Sequence, residues 1–297
     1  MNITHSGFVA LVGRPNVGKS TLLNAMVGEK LAIVSAKPQT TRNRITGVLT
    51  RGETQMVFLD TPGLHRPKTR LGEYMVKTVR ESIADVDAAI LVVEPKAQAG
   101  EAETDLLENL RGAGLPVLLA VNKTDTVAHK EELMAVIAAW SARLPFTAVV
   151  PVSASRGEGV QELLDETASL LPEGPAYYPE DQYTTEPERA IVAEIIREKL
   201  LTLLSEEVPH GTAVAVERMR ERESGDLVDI EAVIYCEKES HKGIIIGKGG
   251  RMLREVGTRA RADIERLLGC HANLKLWVKV RDDWRNRTNL LKTLGYD

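Results

Sequence analysis

Gly13-Arg-Pro-Asn-Val-Gly-Lys-Ser20 satisfies every fixed position of G-x-x-x-x-G-K-[ST]. The chemistry such a stretch supports is phosphate binding. Gly13 and Gly18 let consecutive backbone N–H groups curl inward around oxygens, and a helix that starts at the loop adds the partial positive charge of its N-terminus. Lys19 is placed to neutralise the β- and γ-phosphates and Ser20 to offer its hydroxyl to Mg²⁺, with Arg14, Pro15, Asn16, Val17 and Thr21 completing the cradle. This chemistry requires a strand before the loop and a helix after it. Residues 8–12 are an apolar β-rich run, and Leu22, Leu23, Met26 and Val27 recur at helical spacing.

A second motif chooses the base. Asn122-Lys-Thr-Asp125 follows the apolar run 117–121. The Asp125 carboxylate is suited to guanine, whose N1–H and 2-amino group both donate, whereas adenine has an acceptor at N1 and no 2-amino group. Asn122 tethers this loop to the phosphate loop, Lys123 lays its stem over the ring, and Thr124 completes the tetrad. Asp60-Thr-Pro-Gly63 follows the run 56–59, which places Asp60 to hold Mg²⁺ through a water and the Gly63 N–H to sense the γ-phosphate, with Thr61, Pro62 and Leu64 beside them. Ser153 and Ala154, after the run 148–152, match a loop whose backbone N–H meets the guanine O6.

The elements that must position these loops are legible in the same stretch. Apolar runs at 8–12, 56–59, 88–93, 117–121 and 148–152 alternate with helical patterns at 20–27, 72–84, 101–111, 130–143 and 160–171. Unbroken apolar strands suit a parallel sheet covered on both faces. The run 45–50 lies four residues before Gln55 and predicts a hairpin, hence one antiparallel edge strand. The fold class is α/β and doubly wound. Residues 172–187 hold four prolines and three tyrosines and read as an extended linker. Beyond it the order changes to helix 188–205, strand 212–221, turn 224–226, strand 227–237, helix 240–246, a Gly-rich loop, a helix to about 268 and strand 272–280. The expected domains are therefore 1–172 and 189–297, joined by a linker at 173–188.

Charge sharpens this division. The whole chain carries −4 with a pI near 6.0, which argues against a polyanionic partner. Residues 1–189 carry 19 basic and 24 acidic side chains, whereas 242–292 carry 13 basic and 5 acidic ones. That basic segment surrounds Gly243-Ile-Ile-Ile-Gly-Lys-Gly-Gly250. In a KH domain a GxxG loop between two helices permits close approach to the phosphates of single-stranded RNA. The candidate RNA contacts are Gly243, Ile244, Ile245, Ile246, Gly247, Lys248, Gly249, Gly250 and Arg251, with Ile244 to Ile246 partly core and partly groove floor. About half of Arg251, Arg254, Arg259, Arg261 and Arg266 are expected to form a solvated helix face. Trp277 reads as a packing residue in its strand and Trp284 as a surface residue.

Two cysteines without metal-ligand spacing indicate a reduced, cytoplasmic protein, and the six histidines show no zinc pattern. His65 reads as an exposed residue of the Asp60 segment. No apolar run approaches membrane-spanning length.

The set GRPNVGKS, Thr40-Thr-Arg42, DTPG, NKTD and VSA, in this order, resembles the translation-factor-related GTPases. With the GKGG loop and an α-β-β-α-α-β order similar to type II KH domains, the chain resembles the Era-type family of ribosome-assembly GTPases over essentially its full length. The resemblance implies a slow GTPase (GTP to GDP and phosphate) with Mg²⁺ as cofactor. Residues 38–43 become the first switch, in which Thr41, or else Thr40, closes on Mg²⁺ and the γ-phosphate. Lys19, Thr41, Gly63 and Asn16 form the catalytic set. Leu64 stands where Ras-type enzymes carry a water-orienting glutamine, so hydrolysis leans on backbone groups, Mg²⁺ and K⁺ held by Asn16. The implied partners are the 3′ end of 16S rRNA and the 30S subunit, bound by a monomer in a nucleotide state that opens the KH groove. The alternative readings are a membrane-associated signalling GTPase, docked peripherally at the inner membrane through the basic surface, and a GTPase acting on another RNA class.

Overall fold

The computed structural model describes residues 3–223 and 225–296; Met1, Asn2, Asp297 and Ser224, the last within the expected turn, lie outside the described residues. The chain forms two compact units.

The first contains a six-stranded sheet of order β2-β3-β1-β4-β5-β6. Its strands are β1 (His5–Val12), β2 (Ile45–Arg51), β3 (Thr54–Asp60), β4 (Ala88–Val93), β5 (Val117–Val121) and β6 (Ala148–Pro151). β2 pairs with β3 antiparallel, as the hairpin spacing predicts, and all other pairings are parallel. β4 is buried along its whole length, which explains why Ala88–Val93 reads as a continuous apolar run without alternation. Helices α1 (Lys19–Val27) and α5 (Val160–Ala168) cover one face, with Leu22, Leu23, Leu163 and Leu164 in its core. Helices α2 (Arg70–Ala84), α3 (Glu101–Ala113) and α4 (Lys130–Ser141) cover the other with Val79, Leu106, Leu110 and Trp140.

The stretch expected as a linker is not free chain. Residues up to Thr185 cluster with the first unit. The Gln55 side chain accepts the N–H groups of Tyr177 and Tyr178, Tyr183 C=O accepts the Val48 N–H, and the Thr184 hydroxyl donates to Thr46 C=O. The prolines keep this strap extended while its polar groups satisfy an otherwise unpaired sheet edge.

The second unit comprises α6 (Glu188–Leu203), β7 (Ala213–Glu221), β8 (Leu227–Cys236), α7 (Glu239–Ile246), α8 (Arg251–Leu268), β9 (His271–Val280) and α9 (Thr288–Thr293). Its sheet runs β7-β8-β9, antiparallel and then parallel. Ile191, Ile195 and Ile196 of α6, Ile230 and Ile234 of β8, and Val256 and Ile264 of α8 meet in one core.

Both tryptophans expected there are corrected. Trp284 is fully buried, donates its Nε1–H to Gly211 C=O at 2.9 Å and stacks on Tyr296. The charged neighbours that make it read as surface turn away, and Arg285 pairs bidentately with Glu237. Trp277 is 43% exposed. It alternates with Leu276 and Val278, which pack against the core, so strand period points it outward.

This unit also takes residues Ile33–Thr40. Glu198 accepts the Val34 N–H at 3.0 Å, and the buried Arg197 guanidinium donates to Thr40 C=O.

Candidate functional site

The loops that follow β1, β3, β4, β5 and β6 all leave the sheet at the C-terminal ends of its parallel strands, where open α/β sheets bind ligands. α1 begins at Lys19 directly after Gly18, whose φ of 99° lies in the left-handed region. A Cβ on Gly18 would stand 2.3 Å from Asn122 Nδ2, so glycine is what lets the two loops meet. There Asn122 donates to Val17 C=O at 2.8 Å and accepts the Ala154 N–H at 3.0 Å, clasping phosphate loop and last loop together.

Lys19 is almost wholly buried, and its ammonium donates to the carbonyls of Gly13 and Arg14 at 3.1 and 2.9 Å. Burial pushes it down to about 8 against the opposing charge of Asp60. Burial likewise pushes Asp60 up to about 6, although Lys19, Ser20, Thr41 and Thr61 favour its ionised form. Asp60 Oδ2 accepts the Ser20 hydroxyl at 2.6 Å, and Ser20 Oγ lies 2.8 Å from Thr41 Oγ1. Asp60 Oδ1 is buried with no hydrogen-bond partner. An orphaned carboxylate oxygen beside two hydroxyls fits an oxygen-liganded Mg²⁺ with its bound water.

The two adjacent threonines occupy different positions. Thr41 is buried at Ser20 and Asp60, whereas the Thr40 hydroxyl donates to Lys37 C=O. Gly63 packs on Pro15, which would lie 2.5 Å from a Cβ there, and the Leu64 N–H donates to Gly13 C=O at 3.2 Å. Leu64 itself is buried in the core. His65 is half-buried rather than exposed, with Nδ1 2.9 Å from Gly63 C=O. Asn16 adopts a left-handed φ of 63° at the tip of the loop.

The base loops are equally ordered. The Ser153 hydroxyl donates to Asp125 at 2.7 Å, and that bond leads the effects holding the half-buried carboxyl below its ordinary range. Thr124 Oγ1 donates to Val152 C=O. Lys123 Nζ donates to Asn16 C=O at 2.7 Å and to Glu94 at 2.6 Å. Glu94 belongs to no motif and escapes sequence reading, although it directly follows a recognised strand. Its other oxygen accepts Lys96 Nζ at 2.7 Å, and the Lys96 carbonyl accepts the indole N–H of the buried Trp140.

In the second unit α7 and α8 flank Gly247–Gly250. Gly247, Gly249 and Gly250 have φ of 72°, 62° and 75°, a run of left-handed backbone that side chains would strain. Lys248 and Arg251 are exposed there. Ile245 is in the core and Ile244 is half exposed. An open groove of about 560 Å³ leads from Gly250 between Arg254, Thr258 and Arg261 of α8 and Asn273 and Leu276 of β9. Arg259 and Arg266 are paired with Glu255 and Asp263 on the helix surface, so the five arginines divide between groove and solvated face. Among the described residues no helix is long and apolar enough to cross a membrane, and none of the His, Cys, Asp and Glu side chains cluster as a metal site.

Known proteins share this arrangement. Residues 8–123 match the family described as 50S ribosome-binding GTPase, and residues 207–285 match the KH domain. The GTPase Era of Ruminiclostridium cellulolyticum is 52% identical over 291 residues, covering 98% of this chain and 97% of that one. That of Clostridioides difficile is 50% identical over 292 residues, covering 98% of each. Among solved structures, Era in complex with MgGDPNP and nucleotides 1506-1542 of 16S ribosomal RNA superposes with a TM-score of 0.95 at 37% identity, covering 99% of both chains. A variant of Aquifex aeolicus Era bound to GDP and aluminium fluoride gives 0.94 at 38%, covering 98% of this chain and 99% of that one. The chain belongs to the Era family of GTPases.

Proposed function

We propose that the chain hydrolyses GTP at the Lys19–Asp60–Asp125 site and binds the 3′ region of 16S rRNA through its KH groove during 30S subunit maturation. The observation that carries this reading is full-length likeness to an Era structure holding a magnesium-bound GTP analogue together with that RNA segment. Lys19 and the backbone amides of the phosphate loop hold the phosphates, and Asp125, Ser153 and Ala154 read guanine. Ser20, Thr41 and Asp60 hold Mg²⁺, which when bound neutralises charge on the β- and γ-phosphate oxygens. Leu64 offers the attacking water no side-chain partner, so the Gly63 and Thr41 backbone must orient it, and intrinsic turnover is slow. Asn16 would hold a K⁺ ion, which would add positive charge beside the phosphates. Thr41 stands at the site while the preceding residue, Thr40, is bound within the second unit. Loss of the γ-phosphate at Thr41 therefore pulls on a segment anchored to α6, which links nucleotide state to RNA binding.

For RNA the left-handed GKGG backbone approaches phosphates, Lys248 and Arg251 supply charge, and the groove between α8 and β9 receives bases. The protein acts as a cytoplasmic monomer with a peripheral inner-membrane fraction. Crosslinking in cells followed by sequencing of bound RNA tests the assignment. Enrichment of the 3′ end of small-subunit rRNA is expected; recovery of mainly tRNA or messenger RNA overturns it. Co-flotation with anionic vesicles tests the membrane contact.

A further inference from the structure

Glu94 is the first residue after β4, and the sheet dictates where its carboxylate lies. Val93 pairs with Val121 in parallel register, and the Asn122 N–H donates to Val93 C=O at 2.8 Å. This sets Glu94 beside Lys123 at the exit of two adjacent strands. Three basic side chains converge there. Lys123 Nζ lies 2.6 Å from Glu94 Oε1, Lys96 Nζ lies 2.7 Å from Oε2, the Arg14 guanidinium lies 4.0 Å away, and Lys123 also reaches Asn16 C=O. Arg14 is held from its other side by Glu103 at 2.8 Å, a carboxylate only 2% exposed whose second oxygen accepts the Gly100 N–H.

The Glu94 side chain is 19% exposed, and the Lys123 side chain 37%. A lysine with four rotatable bonds at that exposure would sample several placements. Acceptors on two different loops leave it one. Partial burial opposes ionisation of Glu94, but hydrogen bonds from Lys123 and Lys96 outweigh it and keep the carboxyl below its ordinary range.

We propose that Glu94 is a positioning residue for guanine-nucleotide binding. By holding the Lys123 ammonium against the Asn16 carbonyl it prearranges the lysine stem beside the base and ties the base loop to the phosphate loop. The inference rests on the GTP-site reading above and extends it to a residue outside the shared motifs. The base is common to GDP and GTP. Glu94 therefore governs nucleotide retention and leaves the chemical step to other groups.

Stopped-flow dissociation of fluorescently labelled GDP and GTP from the full-length chain tests this, alongside steady-state hydrolysis. Glu94→Gln keeps size while removing charge. It is expected to speed dissociation of both nucleotides by about tenfold, the scale of one lost charge-assisted hydrogen bond, with KM rising and kcat constant. Glu94→Asp retains the charge and is expected to lie between wild type and Glu94→Gln. In a Lys123→Met background the same substitution is expected to add less than twofold, because the group it acts on is gone. Dissociation from Glu94→Gln and Glu94→Asp within twofold of wild type overturns the proposal, as does an undiminished effect without Lys123. Failure of the wild-type chain to retain labelled GDP would instead overturn the GTP-site reading itself.

Discussion

The Ser153 hydroxyl donates to the Asp125 carboxylate at 2.7 Å, joining the loop after β6 to the loop after β5. The bond occupies one oxygen and favours the ionised form, which in the proposed site accepts the guanine N–H groups. Ser153→Ala is expected to weaken GDP and GTP binding several-fold and by the same factor, because the base is common to both. Titration calorimetry with each nucleotide checks this, and unequal factors would place Ser153 near the phosphates instead.

Asp60 predicts a pH dependence. Burial raises its carboxyl to about 6, so it takes up a proton below that pH while an ordinary aspartate is still ionised. In the proposed site Mg²⁺ binding requires the carboxylate. Mg·GDP affinity should therefore be level above pH 6 and fall by up to about tenfold per unit below it. The nucleotide's own phosphate titration is shared by an Asp60→Asn variant, whose affinity is expected to be lower throughout and to lack the additional slope. Parallel pH profiles for the two proteins would refute the assignment.

Hydrolysis is expected to run faster in K⁺ than in Na⁺ buffers, with the difference abolished in Asn16→Ala. The basis is the burial of Leu64, which leaves no side chain from that position to orient water. Single-turnover rates in matched salts measure it; equal rates would remove K⁺ from the mechanism.

Lys248 stands exposed on a loop of left-handed glycines. Lys248→Ala should weaken binding of a single-stranded RNA and reduce the slope of log K against log salt by about 0.7, the value for one phosphate contact. An unchanged slope would mean that the loop does not touch the backbone.

Trp284 anchors the C-terminal segment. Trp284→Ala should lower stability of the second unit by about 3–5 kcal/mol, the range for removing a fully buried aromatic. Trp284→Phe should recover most of it, losing mainly the bond to Gly211 C=O. Thermal unfolding of both variants gives the comparison.

Much of this was legible in residue order because the deciding physics is local. Gly18 must lack a side chain for Asn122 to reach Val17, and β4 must be apolar throughout because helices cover both its faces. What escaped reading depends on neighbours distant in sequence. Trp284 among Asp282, Asp283 and Arg285 looks exposed until Gly211 and Tyr296 arrive to bury it. The proline-rich stretch looks like a tether until Gln55 and Val48 supply its partners. Thr40 and Thr41 are alike in type and adjacent, and only tertiary placement separates them. Glu94 is one carboxylate among many until two strands in register set it against Lys123.

Trp140 is the sole tryptophan before residue 277, and its indole N–H is bonded to the carbonyl of Lys96, the residue whose ammonium sits on Glu94. The chain thus carries its own fluorophore one hydrogen bond from the segment that borders the base loop. With Trp277 and Trp284 replaced by phenylalanine, the blue-shifted emission of this shielded indole becomes a label-free optical signal for movement at that segment as nucleotide enters and leaves.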